Sequence, residues 1–217
     1  MKLQIQATGS AGNCYLLESA NSQLIIEVGV MPTGIDYSKC EGYIISHEHG
    51  DHSAFAGKLP GLNQLKTPYK SDKWKIQNFP QKHGDTTTDI FLIRNMEEGK
   101  NIVFATDIEV IGQNQLLLFK TLNINLLLIE CNYNLETYLA GGVNTYGSSS
   151  HLSDSRAIMY TGFIKPLQVV FIHPSDRFMN VAKTIKKLKE AKIKNYYIAQ
   201  KFPSDYNKYN ANKIINF

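Results

Sequence analysis

Cysteine is scarce in this sequence, and its spacing is unpatterned. The 217 residues hold three, Cys14, Cys40 and Cys131, with no CxxC pair. An odd count without that spacing argues against a disulfide framework or a thiolate zinc cluster and fits reduced thiols in the cytoplasm. Long apolar runs are also missing. None reaches bilayer-spanning length, and Met1-Lys2-Leu3-Gln4-Ile5-Gln6 lacks the apolar core of a signal peptide. The expected location is therefore cytoplasmic, with no membrane partner. Strong charge of one sign is lacking too. A net charge of +4 is compatible with an anionic substrate but does not by itself argue for nucleic acid. Internal repeats are absent, and the one low-complexity tract is the polar stretch from Gly141 to Ser150. What remains is an ordinary apolar and charged content, over a length that suits one domain spanning residues 1–217 with a sizeable core.

Histidine is not abundant either, with six in the chain, yet half of them fall within Ser46-His47-Glu48-His49-Gly50-Asp51-His52. Tyr43-Ile44-Ile45 just upstream reads as a short buried strand, and Ser53 to Leu59 reads as the start of a helix. The cluster is thus expected on a strand-to-helix loop, where rigid elements aim side chains at one point. His47 and His49 are two apart and share a face of an extended loop end. Asp51 and His52 follow the turn at Gly50 and can point to a second centre. Neutral imidazole with carboxylate suits Zn²⁺, and also Mn²⁺ or Fe. The competing interpretation is a polar surface loop that happens to hold histidines.

The rest of the chain reads as a β-meander that later gives way to helices. Leu3 to Ala7 alternates like a strand, Thr8 to Asn13 is a turn cluster, and Cys14 to Glu18 and Leu24 to Val28 are the next strands. Asn63 to Ile76 is basic and ambiguous. Gln77 to Gln81 and Ile90 to Arg94 flank a turn at Lys82-His83-Gly84-Asp85-Thr86. Ile102 to Ala105, Leu126 to Ile129, Val169 to Ile172 and Tyr196 to Ile198 are further strands. Helices are expected over Asn134 to Ala140, stopped by Gly141-Gly142, from a Ser153 cap towards Gly162, and over Phe178 to Ala191. In the last of these, Val181, Ile185 and Leu188 share one face, and the lysines form a solvated one. Such an order suggests an α+β or layered α/β domain. His47, Asp107 and His173 each stand at the end of an apolar strand, which is how layered sheets gather a site at one edge.

The run His47-x-His49-x-Asp51-His52 resembles the HxHxDH signature of the metallo-β-lactamase superfamily. Later polar residues arrive in that family's order: His83 in Lys-His-Gly-Asp, Asp107 in Ala-Thr-Asp, and His173 in Phe-Ile-His-Pro-Ser. Gly9-Ser10-Ala11-Gly12-Asn13-Cys14-Tyr15-Leu16, Ile129-Glu130-Cys131-Asn132 and His151-Leu152-Ser153 resemble a narrower group. That group is the small nuclease-like bacterial branch (the YycJ type), related to tRNA 3′-processing endonucleases. The resemblance implies an αββα four-layer sandwich of the α/β class, with two face-to-face sheets and helices outside. It implies two divalent metal ions, zinc first, with manganese or iron as alternatives. His47, His49 and His83 would hold one and Asp51, His52 and His173 the other, with Asp107 bridging. His151 is the one histidine this pattern leaves over. In the nuclease relatives an equivalent histidine faces the substrate and helps the leaving group, so His151 and Asp51 are the candidate catalytic residues. Two departures stand out. Glu27 in Ile25-Ile26-Glu27-Val28-Gly29 replaces the relatives' aspartate with a side chain one methylene longer, which can shift ligand orientation. Asn144 to Ser150 carries no Lys or Arg where the branch has a basic stretch.

The activity implied is phosphodiester hydrolysis, with nucleic acid as the first substrate and a cyclic nucleotide as the alternative, since polymer binding leans on basic contacts to phosphates. Thioester or lactone hydrolysis on the same metals is a further alternative, and a metal-stabilised binding domain is a non-enzyme one. The expected partner is a phosphodiester substrate, nucleic acid or nucleotide, with a homodimer left open.

Overall fold

The alternation at the start of the chain makes a strand whose leucine and isoleucine face inward. β1 (Lys2–Ala7) buries Leu3 and Ile5, and β2 (Cys14–Glu18) runs back antiparallel to it. β3 (Gln23–Ile26) continues the meander, and β4 (Cys40–Ile44) lies parallel to β3. After α1 (Gly50–Ser53) and the two-residue β5 (Tyr69–Lys70), a long hairpin forms from β6 (Trp74–His83) and β7 (Thr86–Asn95). Then follow β8 (Lys100–Ala105), α2 (Gln113–Thr121), β9 (Leu126–Glu130), α3 (Leu135–Ala140), α4 (Asp154–Ile164), β10 (Gln168–Ile172), α5 (Val181–Glu190), β11 (Tyr196–Ile198) and β12 (Lys213–Asn216). The structure is a computed structural model and describes residues 1–140, 150–200 and 213–217. The expected helix stop at Gly141-Gly142 and the polar stretch up to Ser149 lie outside the described residues.

Two sheets result. The first has the order β12-β1-β2-β3-β4, the second β11-β10-β9-β8-β7-β6-β5. Their facing sides share an apolar layer that includes Tyr15, Leu24 and Ile44 from the first sheet and Trp74, Phe91 and Phe104 from the second. β8 to β11 are parallel, and β9 is buried at every residue, as expected of a parallel strand covered on both faces. α2, α4 and α5 cover the outer face of the second sheet through Phe119, Ile158 and Leu188. The first sheet's outer face is covered differently. Val28, Leu59 and Leu62 pack on it from loops and turns, so among the described residues the fourth layer is mostly irregular chain with α1 as a helical turn. Among the described residues no helix is long and apolar enough to cross a membrane.

The structure moves one expected helix. α1 begins at Gly50 and ends at Ser53, whereas the sequence pattern placed a helix over Ser53 to Leu59. Ala56 N–H and Lys58 N–H bond only three residues back, to Ser53 and Phe55, and Gly57 at φ 69 turns the chain away. Asp51 and His52 therefore sit on the helix itself and not on a loop before it. The turn around His83 narrows to Gly84 and Asp85, because His83 and Thr86 already pair. α2 and β12 had no expectation in the sequence. β12 pairs with β1 at the far end of the chain, a contact without a local signal.

Candidate metal centre

Parallel strands end in step, and here that delivers chemistry. Ala105 pairs with Ile129, and Ile172 with Glu130, so Asp107, Glu130 and His173 emerge at one edge of the second sheet. The first sheet contributes Glu27 directly after β3 and His47 to His52 after β4. Glu27, Asp107 and His173 have φ values of 61, 49 and 54°, a region that side chains with a Cβ seldom enter. Each such residue costs on the order of 1–3 kcal/mol, and clustered strain of this kind marks functional sites. Gly29 is required by close approach. A Cβ there would stand 1.7 Å from the Asp51 carbonyl oxygen.

All seven expected ligands converge. One ligand atom from each of His47, His49 and His83 lies within 4.8 Å of the others, and the same holds for Asp51, His52, Asp107 and His173. Asp107 links the two groups, with Oδ2 at 2.7 Å from His52 Nε2 and 3.4 Å from His47 Nε2. A third, overlapping group joins Asp107 and His173 to Glu130 and His151. His151 Nδ1 meets Glu130 Oε1 at 2.5 Å and Asp107 Oδ1 at 3.2 Å, so the expected spare histidine is part of the same cleft.

Surrounding groups hold the rings in place. Ser46 Oγ meets His47 Nδ1 at 2.9 Å, and His83 Nδ1 donates to the Ser150 carbonyl at 3.0 Å, which leaves both Nε2 atoms for the cleft. Glu27 still reaches His52. Its Oε2 lies 3.4 Å from Nδ1 while Oε1 accepts from Ser46 N–H, so the longer side chain keeps the contact. Asn132 Nδ2 touches His173 Nδ1 at 3.2 Å and its carbonyl at 3.0 Å. Glu130 Oε2 accepts from Ile108 N–H and Leu152 N–H, which fixes the carboxylate that faces His151. The sequence pointed to Glu130 and Asn132 as residues near the site that could support its ligands, and assigned Asn13 no role. Their contacts depend on strands brought together from distant positions.

The donor set fits divalent cations. His47 Nε2 and His49 Nδ1 face each other at 2.9 Å, where at most one proton fits between them. Asp107 Oδ1 is buried without a hydrogen bond, although nitrogens of His151 and His173 stand 3.2 and 3.3 Å away. Charge is uneven across the cleft. Burial pushes the His47 ring down to about 3. Burial also opposes charge on His52 and His173, yet Glu27 and Asp107 hold His52 well above its usual range and Asp107 holds His173 at about 9. His151 is raised to about 10 against its burial, chiefly by Glu130. Asp51, Asp107 and Glu130 are lowered against their own burial by the same histidines. Protons therefore occupy the metal-free cleft at pH 7, and a cation held there would have to displace them. Since the raised groups are histidines, the affinity of a cation held by them would fall on acidification. Titrating Zn²⁺ at pH 7 by calorimetry in buffers of different ionisation enthalpy should register about two protons released per chain, from His52 and His173. Binding without proton release would rule those two rings out as ligands.

No protein-family model matches the chain, and no curated protein matches it. Solved structures do. The metallo-β-lactamase fold protein YhfI from Bacillus subtilis is 16 % identical, covering 92 % of this chain and 96 % of its own, with a TM-score of 0.73. Zn²⁺-bound PqqB from Methylobacterium extorquens is 9 % identical over 100 % of both chains, with a TM-score of 0.69. The short form of human tRNase Z is 12 % identical, covering 100 % of this chain and 99 % of its own, at 0.66. At such low identity, what a match across nearly the whole of each chain shows is the architecture, and this chain has the metallo-β-lactamase fold.

Proposed function

We propose that this protein is a metal-dependent hydrolase that cleaves phosphodiester bonds. The observation that carries the reading is the pair of donor clusters joined by Asp107, with His151 and Glu130 beside them. His47, His49 and His83 would hold one divalent cation, and Asp51, His52 and His173 the other, with Asp107 shared; zinc suits these donors first. When bound, the cations supply water activation at neutral pH and charge stabilisation for the phosphoryl oxygens. The chain's own residues supply the rest. His151 is held at Nδ1 by Glu130, which leaves Nε2 to give a proton to the departing oxygen. In the metal-free cleft Glu130 and Asp107 raise that ring's pKa to about 10. Asp51, the other candidate catalytic group, keeps its carboxylate charged beside His52 and His173.

Nucleic acid is the first substrate class, in keeping with a tRNase Z among the neighbours of the fold. A small phosphodiester such as a cyclic nucleotide is the second. It is favoured by the lack of Lys or Arg from Asn144 to Ser150, just before His151. A hydrolysis panel of the metal-loaded protein against single-stranded RNA, a cyclic nucleotide and a thioester tests both. Cleavage of RNA with a KM that climbs steeply between low and high salt fits a polymer. A KM that barely moves, with cyclic nucleotide as the better substrate, fits the small ester. Turnover of the thioester alone overturns the phosphodiesterase reading.

A further inference from the structure

The turn from Gly9 to Cys14 is conspicuous in the sequence, yet none of its residues belongs to the donor clusters. We propose that Asn13 is a positioning residue that holds Asp51 and His52 in place for one of the two cations; the proposal rests on reading the cleft as a metal centre. Asn13 is 0 % exposed. The two ends of its amide do different things. Oδ1 closes the turn, accepting from Gly9 N–H at 2.9 Å and from the Tyr15 hydroxyl at 3.2 Å. Nδ2 faces the ligands, at 3.2 Å from His52 Nε2, 3.2 Å from the Asp51 carbonyl and 3.4 Å from Asp51 Oδ2. The Gly9 carbonyl competes for it at 3.2 Å. Its two N–H groups therefore have three oxygen acceptors and also face the His52 nitrogen. With a cation on the His52 nitrogen, the amide bonds these oxygens, Asp51 among them.

The backbone makes the same connection. Asn13 N–H donates to the Asp51 carbonyl at 2.7 Å, and Gly29 N–H donates to the Asn13 carbonyl at 2.9 Å. Gly12 stands at φ 148°, and a Cβ there would lie 2.4 Å from Val30 Cγ1. The turn is thus pressed against α1 and the residues after β3. No hydrogen bond joins Asn13 to His47, His49 or His83, so the effect should fall on one cation and not on both.

The test follows stepwise Co²⁺ binding by visible absorption under chelator competition, with native mass spectrometry for stoichiometry. In Asn13→Ala, one binding step should weaken by about 10–100-fold, the usual effect of losing a group that orients a ligand, while the other stays near wild type. Asn13→Ser keeps an oxygen for the turn but no amide, and it should show the same selective loss. Equal weakening of both steps in Asn13→Ala, or no change in either Asn13 variant, would overturn the proposal. A wild-type protein that binds no Co²⁺ would instead overturn the reading of the cleft as a metal centre.

Discussion

Asp107→Ala should lose metal and turnover together. Its Oδ2 stands 2.7 Å from His52 Nε2 and 3.4 Å from His47 Nε2, while Oδ1 faces His151 and His173. No other carboxylate among the described residues touches both donor clusters. The carboxylate is also the counter-charge that holds His173 up and, with Glu27, His52. Without it those rings lose both a shared ligand and the field that orients them. A group that merely supports a ligand is worth about 10–100-fold in affinity or activity, so a shared ligand should exceed about 100-fold. Elemental analysis after dialysis, run beside a phosphodiester turnover assay, reads both. Full turnover with full metal would reduce Asp107 to a strained strand-end residue with no part in the site.

His151→Ala should keep its metal and lose rate. The ring contacts Glu130 and Asp107 through Nδ1, and its side chain is 17 % exposed, so Nε2 is the atom left for the substrate. If it gives a proton to the leaving oxygen, kcat should fall by about 10²–10⁴-fold. The loss should shrink for a nitrophenyl ester, whose leaving group needs little help. Melting temperature and metal content should stay near wild type. Loss of metal would make His151 a ligand of the third group, in place of one of the other five histidines. Equal losses on good and poor leaving groups would assign it to substrate positioning and remove the acid role.

The donors that could be read from the sequence were those with a local signal. His47 to His52 crowd into one short run, and Asp107 and His173 each follow an apolar stretch that ends abruptly. His83 stood out only by its order in the pattern. What could not be read depends on pairing across the chain. Asn13 meets Asp51 because the first turn folds onto α1, and Glu130 meets His151 because β9 ends beside the start of α4. Neither contact has a period or spacing to betray it. The strand pattern was also read more reliably than the helices. Leu126 to Ile129 is uniformly apolar and could only be buried, whereas the segment after His52 has alanines that suit a helix, yet α1 ends at Ser53 and Gly57 then turns the chain away. α2 went unread because Leu116, Leu117, Leu118 and Phe119 form a continuous apolar run without the spacing of a single face.

The in-step endings of β8, β9 and β10 have a consequence for how such a cleft can change. Asp107 and His173 leave strands two places apart, with Glu130 rising from the strand between them. Adjacent strands are spaced about 4.8 Å apart by backbone hydrogen bonds alone. The distances between these positions are therefore gauged by peptide geometry, which no side chain sets. Exchanging the residues alters which ion or substrate the edge prefers, but the gauge itself stays constant. A lineage of such proteins can change its chemistry freely while every member inherits the same ruler.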